Sequence, residues 1–432
     1  MDKTQIYVFI GVGAVVMFVV LIFMGIIPWL PGVETQPASL AMWGFQSKKL
    51  WDPVFESYER ARPNVKISYV QKSLAAFEAD LLNTLAQGQA PDIIMFPSEY
   101  IRRQGDKIAL APGGLVTETN LQQIHIDAVK SLWIPQYQTV VGMPLYGDAM
   151  VLYSNKALLT KHFIPNPPKT WDEIVAMSKK ITQKDVSGNI AIAGIAMGRA
   201  RNIQNAPGII ETLFLQFGDP MTDDRGRMDL GRAVPRGGVS VNAAESALQF
   251  FADFANPAKS TYSWSFALPE AQEFFITGKL AFYLGFMSEY DIIRAKNPHL
   301  DVAVSLFPQL TGAERPITGG SITFLAVPRL SRNQTHAWGF INFASQPQQS
   351  GVLVNGINNV LPRRDTFALY QSEAVRSVFA QSMLALRLWS NPSPAAVRSA
   401  LRDMIEDVAL GRRSIKESIN NANTQINNRA GI

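Results

Sequence analysis

Cysteine is absent from the 432 residues. That excludes disulfides, thiolate metal sites, cysteine nucleophiles and a lipid-bearing cysteine together. Histidine is scarce as well: the four, His125, His162, His299 and His336, are scattered and form no short metal-ligand spacing. No metal site and no cofactor are expected. Neither a G-x-S-x-G nucleophile elbow nor a phosphate-cradling G-x-x-x-x-G-K-[ST] occurs. An excess of one charge is also missing, since 40 basic and 35 acidic side chains leave a net charge of only +5. Arg363–Arg364 and Arg412–Arg413 are isolated pairs, so the chain carries no basic run suited to nucleic acid.

What is present first is a long apolar run. Residues 6–30 contain no charged side chain and are dominated by Val, Ile, Phe and Met. At about 1.5 Å per residue, a helix of that length exceeds a hydrocarbon core of roughly 30 Å. The run is longer than the core of a secretory signal, and Pro28-Trp29-Leu30-Pro31-Gly32 closes it with an interfacial aromatic and two helix breakers. We read residues 1–36 as an uncleaved membrane anchor and spacer. Lys3 and the amino terminus place the N-terminal end in the cytoplasm and the rest outside the cytoplasmic membrane.

The remainder has a globular composition, 47% hydrophobic and 17% charged, and is long enough for two lobes. Strand and helix signals alternate, which implies an α/β fold. Residues 39–45 read as a strand. Leu50, Val54, Phe55 and Tyr58 follow at helical spacing, and Val65, Ile67 and Tyr69 alternate as a second strand. Phe77, Leu81 and Leu85 line a helix, and residues 91–96 form a short apolar run suited to a buried strand. Thr170 and Glu173 have the spacing of a capping box. Residues 185–240 read as loops and short strands. In such sheets, ligands lie beyond the carboxyl ends of the strands, which directs attention to Trp43, Phe45, Ser98 and Glu99.

Several blocks, taken in order, resemble the extracellular solute-binding proteins of carbohydrate import systems, the family of maltose-binding protein. They are Ala90-Pro91-Asp92-Ile93-Ile94, Met143-Pro144-Leu145-Tyr146-Gly147-Asp148, and Leu152-Tyr153-Ser154-Asn155-Lys156. Further on come Pro167-Pro168-Lys169-Thr170-Trp171-Asp172-Glu173-Ile174, Phe275-Ile276-Thr277-Gly278-Lys279-Leu280-Ala281-Phe282, Gly319-Gly320 and Ala337-Trp338-Gly339-Phe340-Ile341-Asn342-Phe343. Their order and spacing cover nearly everything after residue 38.

The resemblance implies two α/β lobes joined by a hinge, with ligand held in a central cleft. One lobe is expected to take residues 37–147 and 318–348, and the other 148–317 and 349–432, with crossings near Tyr146, Thr318 and Gln346. It also implies a monomer that binds a small polar solute, a sugar or oligosaccharide, and delivers it to the permease subunits of an ABC importer. Relatives usually carry a cleaved signal or a lipidated cysteine, from which this chain departs.

A sugar site needs aromatic faces for the ring and carboxylates, amides or backbone N–H groups for its hydroxyls. The stacking candidates are Trp43, Trp264, Phe286 and Trp389, with Trp264 favoured by its polar surroundings. Polar candidates are Ser98 and Glu99, then Asp148 and its neighbour Tyr146 at the first crossing, and Asn205. Gly319 and Gly320 are candidates for close backbone approach. Glu99 and Asp148 taken as a carboxylate pair give the remote alternative of a glycosidase. A membrane-anchored receptor for signalling or adhesion is the second alternative.

Overall fold

A computed structural model describes residues 37–236 and 239–431. The expected anchor, residues 6–30, lies outside the described residues. Among the described residues, no helix is long and apolar enough to cross a membrane.

Strands β1 (Ala38–Gly44), β2 (Val65–Gln71) and β3 (Ile93–Pro97) open the first lobe. β1 pairs in parallel with both of the others. Helix α1 (Lys48–Ala61) joins the first two strands and buries Trp51, Val54, Phe55 and Tyr58, a stripe at three- and four-residue spacing that faces the sheet. Helix α2 (Phe77–Ala86) leads into β3, all of whose residues are buried. A strand covered on both faces must be apolar along its whole length, and Ile93-Ile94-Met95-Phe96 is.

The thirteen-residue strand β4 (Met143–Asn155) is the spine of the molecule. Strands β5 (Ile190–Ile195), β6 (Leu280–Phe286), β7 (Val302–Leu306) and β8 (Gly320–Pro328) complete the principal set. β8 is antiparallel to both β3 and the first half of β4, so it is inserted between them. The second half of β4 pairs with β6 on one side and β7 on the other, both antiparallel. β5 then extends the second sheet in parallel beside β6. β4 therefore leaves one sheet at Ala149 and enters the next at Met150 without interruption. Ladder connectivity is continuous, while the pairing partners change completely. One strand is thereby shared between the two lobes.

The second lobe is packed by helices α3 (Trp171–Ile181) and α4 (Ala206–Phe217). Thr170 and Glu173 form both halves of the expected capping box at the start of α3. α4 occupies part of the segment read as loops. Its Ala206-Pro207-Gly208 start resembles a turn, but proline in a first helical turn forfeits only an N–H that has no helical partner.

After β8 come α5 (Gln334–Ala344), α6 (Pro347–Gly356), α7 (Ala374–Ala385), α8 (Pro394–Ala409) and α9 (Ile415–Ala430). The expected departure from the first lobe near Gln346 needs correction. α6 stays on α1, with Gly356 so close to Leu50 that a Cβ there would sit 2.6 Å from its Cδ2. Ile126 N–H donates to the Pro362 carbonyl at 3.2 Å, and the Asn359 amide donates to the Gly147 carbonyl at 3.0 Å. The chain reaches the second crossing again only at 385–387. There Thr318 N–H donates to Ala385 O at 3.0 Å and Arg387 N–H donates to Thr318 O at 2.9 Å. The short helix after Gln346 is held by apolar packing onto α1, which no local signal in its sequence announces.

Candidate functional site

A cavity of about 440 Å3 opens between the lobes. The turn after β3 contributes Ser98, Glu99, Ile101 and Arg102, and Ser131 and Gly320 add to the first-lobe side. Glu211 of α4 and the segment Leu388, Trp389, Ser390 and Asn391 supply the other side. The two backbone bonds between Thr318 and residues 385–387 dock that segment at the crossing. Asn391 then locks it: its N–H donates to Trp389 O at 3.0 Å and its Oδ1 accepts from Ser393 N–H at 3.0 Å. Trp389 is half-buried, and its indole N–H donates to Glu211 Oε2 at 3.2 Å. Burial at the cleft floor pushes the Glu211 carboxyl up to about 7; the indole bond opposes that, the neighbouring Glu99 adds to it, and Arg398 opposes it.

Glu99 sits across from Arg398 of α8, with Nη1 at 3.3 and 3.4 Å from its two carboxylate oxygens. Arg102 also reaches across, donating from Nη2 to the Arg225 carbonyl at 2.8 Å. The Ser98 hydroxyl accepts from Ile322 N–H at 3.0 Å, which leaves its own proton available to the cavity.

Four of the twelve sequence-derived candidates line this cavity: Ser98, Glu99, Gly320 and Trp389. The others are placed elsewhere. Trp264 is fully buried, donates from its indole to Asn202 Oδ1 at 3.1 Å and meets Phe274 edge-on at 5.7 Å. The expectation of a cleft-facing ring is corrected: its serine neighbours are polar because they serve the loop backbone, as when Ser263 Oγ donates to Ile195 O at 2.8 Å. Asn205 is likewise committed inside the second lobe, its amide donating to Tyr283 Oη at 3.0 Å and Glu289 Oε1 at 2.6 Å. The Trp43 face is covered by the Lys72 ammonium, 4.2 Å from the ring centroid. Phe45 packs edge-on to Phe77 at 5.6 Å. Phe286 packs under α4 at Gly208, where a Cβ would lie 3.1 Å from its ring.

Asp148 and Tyr146 belong to the shared strand. Asp148 accepts from Ser288 N–H at 3.0 Å and Ser288 Oγ at 2.6 Å. Burial nevertheless pushes its carboxyl up to about 6. Tyr146 Oη accepts from Gln46 Nε2 at 2.7 Å, and burial raises its phenol as well. The glycine pair answers a steric demand within the protein. A Cβ on Gly320 would lie 2.2 Å from the Asp148 carbonyl, and one on Gly319 would lie 2.5 Å from Thr212 Oγ1.

Seven lining residues, Glu211 among them, were missed by sequence reading. For Glu211 the signal was a single glutamate in the mostly apolar run Ile209-Ile210-Glu211-Thr212-Leu213-Phe214. A charge among six residues that otherwise suit a core requires a reason.

Two α/β lobes, a shared strand and a polar cavity between them define a ligand-binding cleft protein. The family described as bacterial extracellular solute-binding protein matches residues 44–350. The chain belongs to that family, whose members bind solutes outside the cytoplasm and are not enzymes. It is 22% identical over 370 residues to the galactooligosaccharide-binding protein of Bacillus subtilis (strain 168), spanning 83% of this chain and 82% of that protein. A probable ABC transporter-binding protein of Deinococcus radiodurans is 24% identical over 214 residues, 49% of this chain and 48% of that one. In fold, the chain resembles the sugar-binding protein MalE of Xanthomonas citri, with TM-score 0.73, 18% identity and coverage of 91% and 97%. The cyclic alpha-maltosyl-1,6-maltose binding protein of Arthrobacter globiformis gives TM-score 0.73, 18% identity and coverage of 91% and 99%.

Proposed function

We propose that the cleft captures a saccharide and that the loaded protein delivers it to an ABC import permease. The observation that carries this reading is the composition of the cavity. A half-buried tryptophan stands beside two carboxylates and several hydroxyl or amide side chains, the combination that polyhydroxylated rings require. The relatives' names, galactooligosaccharide-binding and sugar-binding, support the same class. Trp389 supplies the ring face, and Ser98, Glu99 and the backbone at Gly320 supply polar contacts.

Residues 6–30 act as the anchor of a monomeric binding unit held outside the membrane. Closure turns on β4 and on the crossing at Thr318. Ligand that bridges both walls favours the closed arrangement because only that arrangement offers all the contacts.

Thermal-shift titration with galactooligosaccharides, maltotetraose and mannobiose tests the binding role. Ligand at a hundredfold excess over Kd stabilises by about 2.7 kcal/mol, and Trp389→Ala is expected to abolish that shift. If only amino acids, peptides or phosphate esters raise the melting point, the saccharide reading fails. Membrane fractionation tests the anchor, since a form released by salt or carbonate contradicts it.

A further inference from the structure

We propose that Glu211 engages the ligand as a neutral carboxylic acid, donating a hydrogen bond from Oε1 to a ligand oxygen, so that capture of a neutral saccharide takes up a proton. This rests on the saccharide reading of the same cleft. The geometry supplies three supports.

First, Glu211 lines the cavity and has one oxygen already engaged, Oε2 accepting from the Trp389 indole at 3.2 Å. Among the described residues no hydrogen bond reaches Oε1, which is left for whatever fills the cavity. In the acid form both oxygens are then used correctly: the carbonyl oxygen accepts from the indole, and the O–H donates to ligand. In the ionised form Oε1 accepts only, and the negative charge has an indole as its sole donor.

Second, the surrounding charges are committed elsewhere. Arg398 is the cation that acts on Glu211, and its Nη1 is bonded to Glu99. Arg102, on the opposite cavity wall, donates from Nη2 to the Arg225 carbonyl. The Glu99–Arg398 pair is neutral as a unit, and Glu99 itself repels a second anion. With Arg398, the cation that acts on Glu211 among the described residues, paired to Glu99, the burial of Glu211 prevails and favours the acid.

Third, ligand filling the cavity removes the water that would otherwise solvate the anion. The bound state therefore favours the acid more than the empty state does. The raised Glu211 titration agrees with this direction.

The linkage has a definite sign. A site that binds ligand only in its acid form loses affinity as pH rises through the free-state midpoint. With that midpoint at about 7, affinity falls about fifty-fold between pH 7 and pH 9. Glu211→Gln holds a permanent neutral donor in the same shape, so its affinity is expected to be flat over that range.

Two measurements decide the matter. The first uses no ligand: 13C-carboxyl NMR of the protein, with the Glu211 resonance assigned by its loss in Glu211→Gln. A midpoint near 7 supports the proposal, and one in the ordinary range near 4 to 5 overturns it whether or not any saccharide binds. Trp389→Phe is expected to move the midpoint upward, because it removes the bond that favours the anion. The second is calorimetry with a galactooligosaccharide at pH 7.5 in buffers of different ionisation enthalpy. Net proton uptake by the wild type and none by Glu211→Gln is the expected result. Equal uptake by both, or none by either, overturns the proposal. If galactooligosaccharide, maltotetraose and mannobiose all fail to bind, the saccharide reading fails, and NMR separately decides the state of Glu211.

Discussion

Trp264 and Trp389 both stand before a serine, and the fold uses them in opposite ways. Trp264 is core, fully buried against Phe274. Trp264→Ala is therefore expected to cost about 3–5 kcal/mol of stability, measured by denaturant unfolding. Trp389→Ala removes a half-buried side chain at the cavity and should cost far less stability while abolishing ligand binding. The carboxyls bring a pH dependence. Asp148 and Glu211 titrate at about 6 and about 7 in the folded protein, against 3.8 and 4.5 as ordinary values. Between the unfolded and folded midpoints the folded state holds more protons, so stability falls as pH rises through that window. The melting point without ligand should drop by several degrees from pH 5 to pH 8. Asp148→Asn and Glu211→Gln together should flatten that slope, and an unchanged slope in the double variant contradicts the assignment.

Elements were legible where a periodic signal coincided with a burial pattern. The α1 stripe, the uniformly apolar β3 and the capping box of α3 each carry such a signal. α4 was not legible as a helix, because its Ala-Pro-Gly start mimics a turn and its apolar run has no polar face. The attachment of α6 to α1 was illegible for another reason: it depends on a contact between residues some three hundred positions apart. Separation in sequence, here 178 positions, also hid the site. Glu211 and Trp389 lie on different elements and are brought together by backbone bonds at Thr318. Gly320 lines the cavity, but the sequence could not distinguish approach to a ligand from approach to the Asp148 carbonyl. Gly320→Ala should force β8 away from β4 and destabilise the fold, visible as lost amide protection along both strands. α8 offers a second test. Glu406 accepts from Arg199 Nη2 at 2.5 Å and from the N–H groups of Ala200 and Arg201 at 2.7 and 2.9 Å. Glu406→Ala leaves the buried Arg199 unpaired, a loss of about 3–5 kcal/mol in chemical unfolding.

At the scale of the whole molecule, the two walls of the cleft are tied by polar contacts that ligand does not supply. Glu99–Arg398 and Arg102–Arg225 both span it. Arg398 is half exposed, so the ion pair contributes at most about 1 kcal/mol and acts on shape more than on stability. Glu99→Gln combined with Arg102→Ala should widen the unliganded protein in small-angle scattering, with little change in melting point. An unchanged radius of gyration argues against a role in holding the walls together. The placement of β8 reaches further, into synthesis. It lies between β3 and β4, so the ladder that unites residues 93–97 with 143–155 waits for residues 320–328 to leave the ribosome. Until then, a nascent chain of some three hundred residues exposes two unpaired strand edges, the kind of surface that invites wrong pairing. A chain in this state needs shielding, because each lobe can form its own ladders by residue 306 while the ladder that joins the lobes waits for β8.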